Sequence, residues 1–208
     1  MRAGYRVCWC VANAIFTVLF SRKTRGAEHI PASGGFIVAC NHISFWDPPL
    51  VGAALPREVH FLAKEELFAN RAFRWLISSL NAIPIRRGLS DPAGVKRALD
   101  VVSRGGGLVM FPEGGRVKEG QLKPALPGMG LLSVRAGVPV VPAYVSGSDR
   151  IKRAILRLHR VELTFGEPYF PPAEVEGTRP KELYRGVGEE VMKRIARLKS
   201  AGGGEEGW

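Results

Sequence analysis

The sequence predicts a three-layer α/β fold, with a central, largely parallel sheet flanked by helices. Two observations predict it. Compact apolar runs alternate along the chain with longer stretches of helical spacing, the order that lays helices over parallel strands. One helical stretch also carries both of its boundary signals. Asp91-Pro92 supplies a cap and a first-turn proline, Val95, Leu99 and Val102 line one face, and Gly105-Gly106-Gly107 ends it. The sequence contains no internal repeat.

The first element is a nearly all-apolar segment, Val7 to Phe20. As a helix it is about 21 Å long, short of the roughly 30 Å hydrocarbon core of a bilayer. Arg2, Arg6, Asn13, Thr17 and Ser21 recur at helical spacing as a polar stripe, and Trp9, Ile15, Phe16, Leu19 and Phe20 supply apolar bulk. Ser21-Arg22-Lys23-Thr24-Arg25 adds a basic edge. The pattern reads as an interfacial helix lying in one leaflet. A signal peptide would end in small residues rather than a basic cluster. A helix packed on the domain is the competing reading.

Strands are predicted at Phe36–Cys40, His60–Ala63, Ala82–Ile85, Gly107–Phe111, Val138–Val145 and Val161–Phe165. Helices are predicted at Pro48–Leu55, Glu66–Leu80, Pro92–Ser103, Gly128–Ala136 and Pro180–Leu198. Within Glu66–Leu80, the residues Leu67, Phe68, Phe73, Trp75, Leu76 and Leu80 stand beside Arg71 and Arg74. Three uses fit them: a groove for a fatty chain, a face pressed on a bilayer, or core packing. The division that results is 1–26 for the helix and its basic edge, 27–200 for the main domain and 201–208 for a flexible glycine-rich tail.

Composition narrows the partners. The 208 residues suffice for one domain with a substantial core, and 46% hydrophobic with 24% charged residues is ordinary for a folded chain. The 30 Lys+Arg against 19 Asp+Glu leave a net charge of +11. Such a surface seeks nucleic acid, acidic lipid, or phosphorylated and CoA-like ligands. The basic residues are spread along the chain without a nucleic-acid-binding motif, which sets nucleic acid aside. Cys8, Cys10 and Cys40 form no disulfide framework and read as small buried hydrophobes. His29, His42, His60 and His159 are scattered, so no metal site is expected.

Chemistry concentrates after the strand Phe36–Cys40, in Asn41-His42-Ile43-Ser44-Phe45-Trp46-Asp47-Pro48. On a regular helix, five residues turn about 500° and leave two side chains roughly 140° apart. His42 and Asp47 therefore meet only across an irregular stretch, such as a strand breaking into a helix. Asp47-Pro48 has the form of an N-cap and first helical residue. An imidazole held by a carboxylate on one nitrogen can take a hydroxyl proton on the other. The plainer alternative makes Asp47 a cap and His42 a loop residue.

Two further motifs point to anion binding. Ile83-Pro84-Ile85-Arg86-Arg87-Gly88 sets two arginines at a strand end, where paired guanidinium donors suit phosphate oxygens. In extended backbone their side chains diverge, so one of them is expected to reach the ligand. Phe111-Pro112-Glu113-Gly114-Gly115-Arg116 follows another strand. Its glycines allow close approach and expose amide donors to an anion or oxyanion. Glu113 can accept a hydrogen bond from a substrate hydroxyl or orient an arginine.

Taken in order, these blocks resemble the glycerolipid acyltransferase superfamily, specifically the 1-acylglycerol-3-phosphate (lysophosphatidic acid) acyltransferases. The matching blocks are Asn41-His42 through Asp47, the segment ending at Arg87, Phe111-Pro112-Glu113-Gly114 with Arg116, and Val138-Pro139-Val140-Val141-Pro142. The resemblance covers about residues 27–170 and implies a glycerol-3-phosphate-acyltransferase-like domain. It implies that His42 is the base that deprotonates the glycerol 2-hydroxyl, with Asp47 orienting it. The alkoxide then attacks the thioester of acyl-CoA or acyl carrier protein directly. Arg87 is implied to hold the acceptor phosphate, and Glu113, Gly114 and Arg116 to shape the acceptor pocket, with Asn41 and Arg86 beside them. No metal or organic cofactor is implied. The expected partners are a membrane lipid acceptor and an anionic membrane surface, at the cytoplasmic face of the cell membrane, peripheral or monotopic. Three departures bear on the acceptor headgroup. Gly115 stands where threonine is usual. Asn81 replaces a glycine, though asparagine also tolerates left-handed backbone. Leu126-Pro127 replaces a basic residue before Gly128, with Lys123 displaced upstream.

Overall fold

Phe36, Val38 and Cys40 point to one side of a strand and Ile37 and Ala39 to the other, and all five are fully buried. Such a strand must be covered on both faces, as a central parallel strand is. The computed structural model, which describes residues 3–18, 20–86, 91–151, 160–177 and 179–202, shows that arrangement. Its strands are β1 (Lys23–Arg25), β2 (Phe36–Cys40), β3 (Val59–Lys64), β4 (Ala82–Ile85), β5 (Gly107–Met110), β6 (Val140–Ser146) and β7 (Glu162–Phe165). They lie in the order β1-β7-β6-β2-β5-β3-β4, and every pairing is parallel except β6 with β7.

The helices are α1 (Ala3–Val18), α2 (Asp47–Ala54), α3 (Arg71–Ser79), α4 (Pro92–Ser103), α5 (Pro127–Ala136) and α6 (Pro180–Gly202). Phe16 of α1 and Leu50 and Val51 of α2 pack with Phe36 and Val38 on one face of the sheet. Ala98 and Val102 of α4, Leu132 of α5, and Val191 and Ile195 of α6 pack with Ile37 and Ala39 on the other. This is the three-layer order that the sequence predicts.

Register fixes where the chemistry lies. Ala39 of β2 stands opposite Met110 of β5, Cys40 opposite Ala143 of β6, and Lys64 of β3 opposite Ile85 of β4. The C-terminal ends of these five strands therefore share one edge. The chain leaves β2 for β3 on one side and leaves β5 for β6 on the other. Between β2 and β5 the winding reverses, and ligands of open parallel sheets bind in the crevice outside such a point.

Local physics accounts for the departures. The predicted helix Glu66–Leu80 divides into a 3-10 turn, Glu65–Phe68, and α3, because Asn70 caps α3 by accepting from Phe73 N at 3.0 Å. β1 replaces most of the expected basic edge, and Lys23–Arg25 pair with β7. The N-terminal helix packs on the domain. Tyr5 and Phe16 are buried, and Trp9 Nε1 donates to Leu55 O at 2.9 Å. Asn13 leaves the expected polar stripe and turns inward, accepting from Arg22 Nη2 at 2.5 Å. Val7, Val11, Ile15 and Val18 remain exposed as an outward apolar stripe. Cys8 and Cys10 are also exposed, whereas Cys40 alone of the three cysteines is buried as expected. Among the described residues no helix is long and apolar enough to cross a membrane. Helix α6 runs on through Ala201 and Gly202, and the rest of the expected tail lies outside the described residues, as do Arg2, Leu19, Gly88 and His159.

Candidate active site

The site is built at the reversal between β2 and β5. After Cys40 the strand stops, and residues 41–46 bend back before α2 begins. Asp47 holds that bend. Its Oδ2 accepts from Ile43 N at 2.7 Å and Ser44 N at 2.8 Å. The same oxygen meets His42 Nδ1 at 2.7 Å. A carboxylate accepts only, so Nδ1 carries the proton and Nε2 presents its lone pair. Asp47 is 0% exposed and His42 15%. The irregular backbone that five-residue spacing demands is present. Asp47 is, however, the first helical residue rather than the cap, a position taken by Trp46. Its carboxylate serves the loop before the helix.

One contact sets the imidazole plane and another holds the His42 backbone. The ring stacks on Phe111, just past the end of β5, with centroids 4.3 Å apart and planes 26° apart. Val117 N donates to His42 O at 2.8 Å. On the far side of Asp47, Ser148 Oγ donates to Oδ1 at 2.5 Å from within the buried turn after β6. Glu119 Oε1 accepts from Gly147 N at 2.7 Å and so fixes that turn. Burial pushes the Glu119 carboxyl upward, and Asp149 adds to the rise.

Glu113 stands beside this pair. One oxygen accepts from Lys123 N at 3.3 Å, while Oε1 is buried and takes no hydrogen bond among the described residues. Burial raises its carboxyl above the ordinary range, against the pull of the Lys123 and His42 backbone amides and of the His42 ring. No arginine among the described residues pairs with it. Gly114 has φ 63°, and a Cβ there would lie 2.1 Å from Leu126 Cδ1. Its amide, expected to face an anion, instead donates to Phe111 O at 3.0 Å. The Arg116 guanidinium lies 3.4 Å over the Phe45 ring at the exposed rim.

Two expected acceptor-binding residues are engaged elsewhere. Asn41 is buried, its Nδ2 donating to Val145 O at 2.9 Å and its Oδ1 accepting from Val145 N at 2.7 Å. Both amide groups thus tie the end of β2 to β6. Arg86 Nε donates to Glu65 Oε2 at 2.6 Å in an exposed pair. That pair raises the guanidinium and lowers the carboxyl. Arg86 follows β4, three strands from β2 and about 14 Å away. Arg87 lies outside the described residues. Asn81 adopts the left-handed geometry allowed for it, at φ 61°.

Sequence reasoning passed over two residues at this edge. Ser148 lies two residues past the end of β6, and Lys64 closes β3 beside β5. Their common signal is position: both stand at the C-terminal ends of strands in a largely parallel sheet, the edge where ligands of such sheets bind.

Known proteins resemble this chain in sequence and fold. A family model described as Acyltransferase matches residues 21–146. The 1-acyl-sn-glycerol-3-phosphate acyltransferase of Bacillus subtilis is 28% identical over 200 residues, which cover 94% of this chain and 97% of that protein. The protein of the same name in Streptococcus pneumoniae is 33% identical over 135 residues, 64% of this chain and 49% of the relative. The crystal structure of the 1-acyl-sn-glycerophosphate (LPA) acyltransferase PlsC from Thermotoga maritima superposes with a TM-score of 0.70 at 29% identity, covering 94% of this chain and 79% of the other. With more than half of its length matched by the family model, and with the same fold around its histidine–aspartate contact, the chain belongs to the Acyltransferase family.

Proposed function

We propose that the chain is a 1-acylglycerol-3-phosphate O-acyltransferase. It moves a fatty acyl group from acyl-CoA or acyl carrier protein to the 2-hydroxyl of lysophosphatidic acid and gives phosphatidic acid. The observation that carries this reading is the 2.7 Å contact between His42 Nδ1 and Asp47 Oδ2. Support comes from the activity for which the Bacillus subtilis and Thermotoga maritima relatives are named.

The chemistry follows from the geometry. His42 Nε2 takes the proton of the acceptor hydroxyl while Asp47 stabilises the imidazolium. The alkoxide attacks the thioester carbonyl, and a C–O bond forms. The tetrahedral intermediate then collapses, the C–S bond breaks, and the proton on His42 passes to the departing thiolate. Glu113 Oε1, buried and without a partner among the described residues, accepts a hydrogen bond from the acceptor's glycerol. Arg116 and Lys64, at the same edge as His42, take the acceptor phosphate together with Arg87. No metal or organic cofactor has a task in this scheme. The exposed apolar stripe of α1 seats the enzyme on the cytoplasmic leaflet, where the acceptor resides.

Acceptor-dependent thiol release from acyl-CoA tests the reading. His42→Ala is expected to lose at least about a hundredfold in rate while binding vesicles as before. Turnover retained in His42→Ala refutes the assignment of the base. A second acceptor is favoured by one observation: Leu126, where the family commonly has a basic residue, fills the space beside Gly114. The same chemistry on another lysophospholipid or a glycolipid precursor then becomes the rival. A panel of purified acceptors decides between them, and Arg116→Ala is expected to weaken a phosphate acceptor more than an uncharged one.

A further inference from the structure

Helix α3 has nine residues and none of them is buried. An amphipathic helix on a globular domain ordinarily hides its apolar stripe. Here Ile77 alone within the helix is half-buried, Phe73 and Leu76 stay open, and Trp75 is 74% exposed. Leu67, in the 3-10 turn before it, is also exposed, and an open groove runs between Leu67, Asn70, Phe73 and Leu76. Of the three uses open for this segment, core packing does not account for Leu67, Phe73, Trp75 and Leu76, whereas Phe68, Ile77 and Leu80 are half-buried.

Topology places this surface. The connection from β2 to β3 carries α2 on the α1 face of the sheet. The connection from β3 to β4 continues in the same direction across the sheet. Right-handed crossover puts α3 on that same face. The outward stripe of α1, the exposed Phe45 and Trp46 of the catalytic loop, and α3 thus share one side of the molecule. Arg71 opens α3 with no partner among the described residues, and Arg74 Nε is held by Phe68 O at 2.6 Å.

We propose that α3 is a second bilayer contact, separate from α1. It lies in the headgroup region with Trp75 and Leu76 at the acyl boundary and Arg71, at the edge of the same helix face, against an anionic lipid phosphate. This rests on the reading of a lipid acceptor given above. A bilayer suits the surface better than a second copy of the chain. A helix about 13 Å long falls well short of the roughly 800 Å² per partner of a stable interface. Two copies at +11 also repel each other, whereas an anionic surface attracts that charge.

The test uses the full chain on phosphatidylcholine vesicles with and without phosphatidylglycerol. Brominated lipid is expected to quench Trp75, read as the difference between wild type and Trp75→Phe. Trp75→Ser should bind roughly tenfold more weakly. Arg71→Gln should bind roughly fivefold more weakly on the anionic vesicles and unchanged on the neutral ones. Turnover of short-chain, water-soluble substrates should match wild type in both variants. Trp75 left unquenched, or Trp75→Ser binding vesicles as wild type does, overturns the proposal. A change of oligomeric state in Trp75→Ser with vesicle binding intact overturns it in favour of self-association. Weakened vesicle binding in variants of a chain that turns over no soluble acceptor supports the contact and removes the transferase reading instead.

Discussion

At Asp47 four donors converge on one buried carboxylate: His42 Nδ1, Ile43 N and Ser44 N on Oδ2, and Ser148 Oγ on Oδ1. Three come from the loop that Asp47 organises. The fourth arrives from 101 residues downstream and fixes the carboxylate from behind. Ser148→Ala leaves Oδ1 buried without that donor, and hydrogen bonds to charged groups are worth about 1.5–3 kcal/mol. We expect kcat to fall about tenfold or more with KM little changed, and Ser148→Thr to restore part of it, in steady-state kinetics on a soluble acceptor. Glu113 has the opposite character, because burial raises its carboxyl above the unfolded value. The folded state then holds the proton more tightly than the unfolded chain. Stability is lost as pH rises from the unfolded value through the folded one, and the penalty persists at neutral pH. Glu113→Gln should therefore raise Tm at pH 7, by no more than about 4 °C, and change little below the ordinary carboxylate range. Thermal melts across pH check this. The same variant should lower turnover, since a site residue is held at some expense of stability.

At the scale of elements, the turn at Gly114 shows how backbone and side-chain effects separate. Its φ of 63° disfavours any Cβ, and Leu126 Cδ1 occupies the space that the Cβ would take. Gly114→Ala is expected to destabilise by about 1–3 kcal/mol. Adding Leu126→Ala should recover the overlap but not the backbone term, so that about 1 kcal/mol remains in denaturant unfolding. Much at this scale was legible in the sequence. Phe36–Cys40, Ala82–Ile85 and Pro92–Ser103 appear with the predicted ends, because buried strands and a capped, proline-started helix are marked locally. β1 was not legible. Its three residues, Lys23–Arg25, carry no apolar pattern and are ordered by pairing with β7, more than a hundred residues away. Asn41 misled for a similar reason. Its place in the motif suggested a ligand, whereas its partner Val145 belongs to a strand that the sequence could not place beside it. Ser148 escaped notice because its partner is also remote, whereas His42 and Asp47 are five apart and restricted by geometry.

The whole molecule gathers these parts along one line. Parallel strands end at a common edge, the winding reverses between β2 and β5, and His42, Glu113 and Ser148 follow strand ends there, while Lys64 closes one. The α1 face beside that edge carries the exposed apolar groups of α1, of the loop before α2 and of α3, and the chain as a whole carries +11. A field of that sign raises the local concentration of anionic substrates and is screened over roughly 8–10 Å in ordinary salt. Two contributions to turnover can then be separated by ionic strength. For an anionic acceptor and the thioester donor proposed above, kcat/KM should fall several-fold from low to high salt, because encounter is steered by charge. For an uncharged acceptor and a short neutral thioester, the same change of salt should leave kcat/KM nearly constant, because the proton transfer proposed for His42 is local and shielded by Phe111 and the buried Asp47. A salt response equal for charged and neutral substrates would mean that salt acts on the fold or on the site itself. Steering by the net charge would then have no part in the reaction.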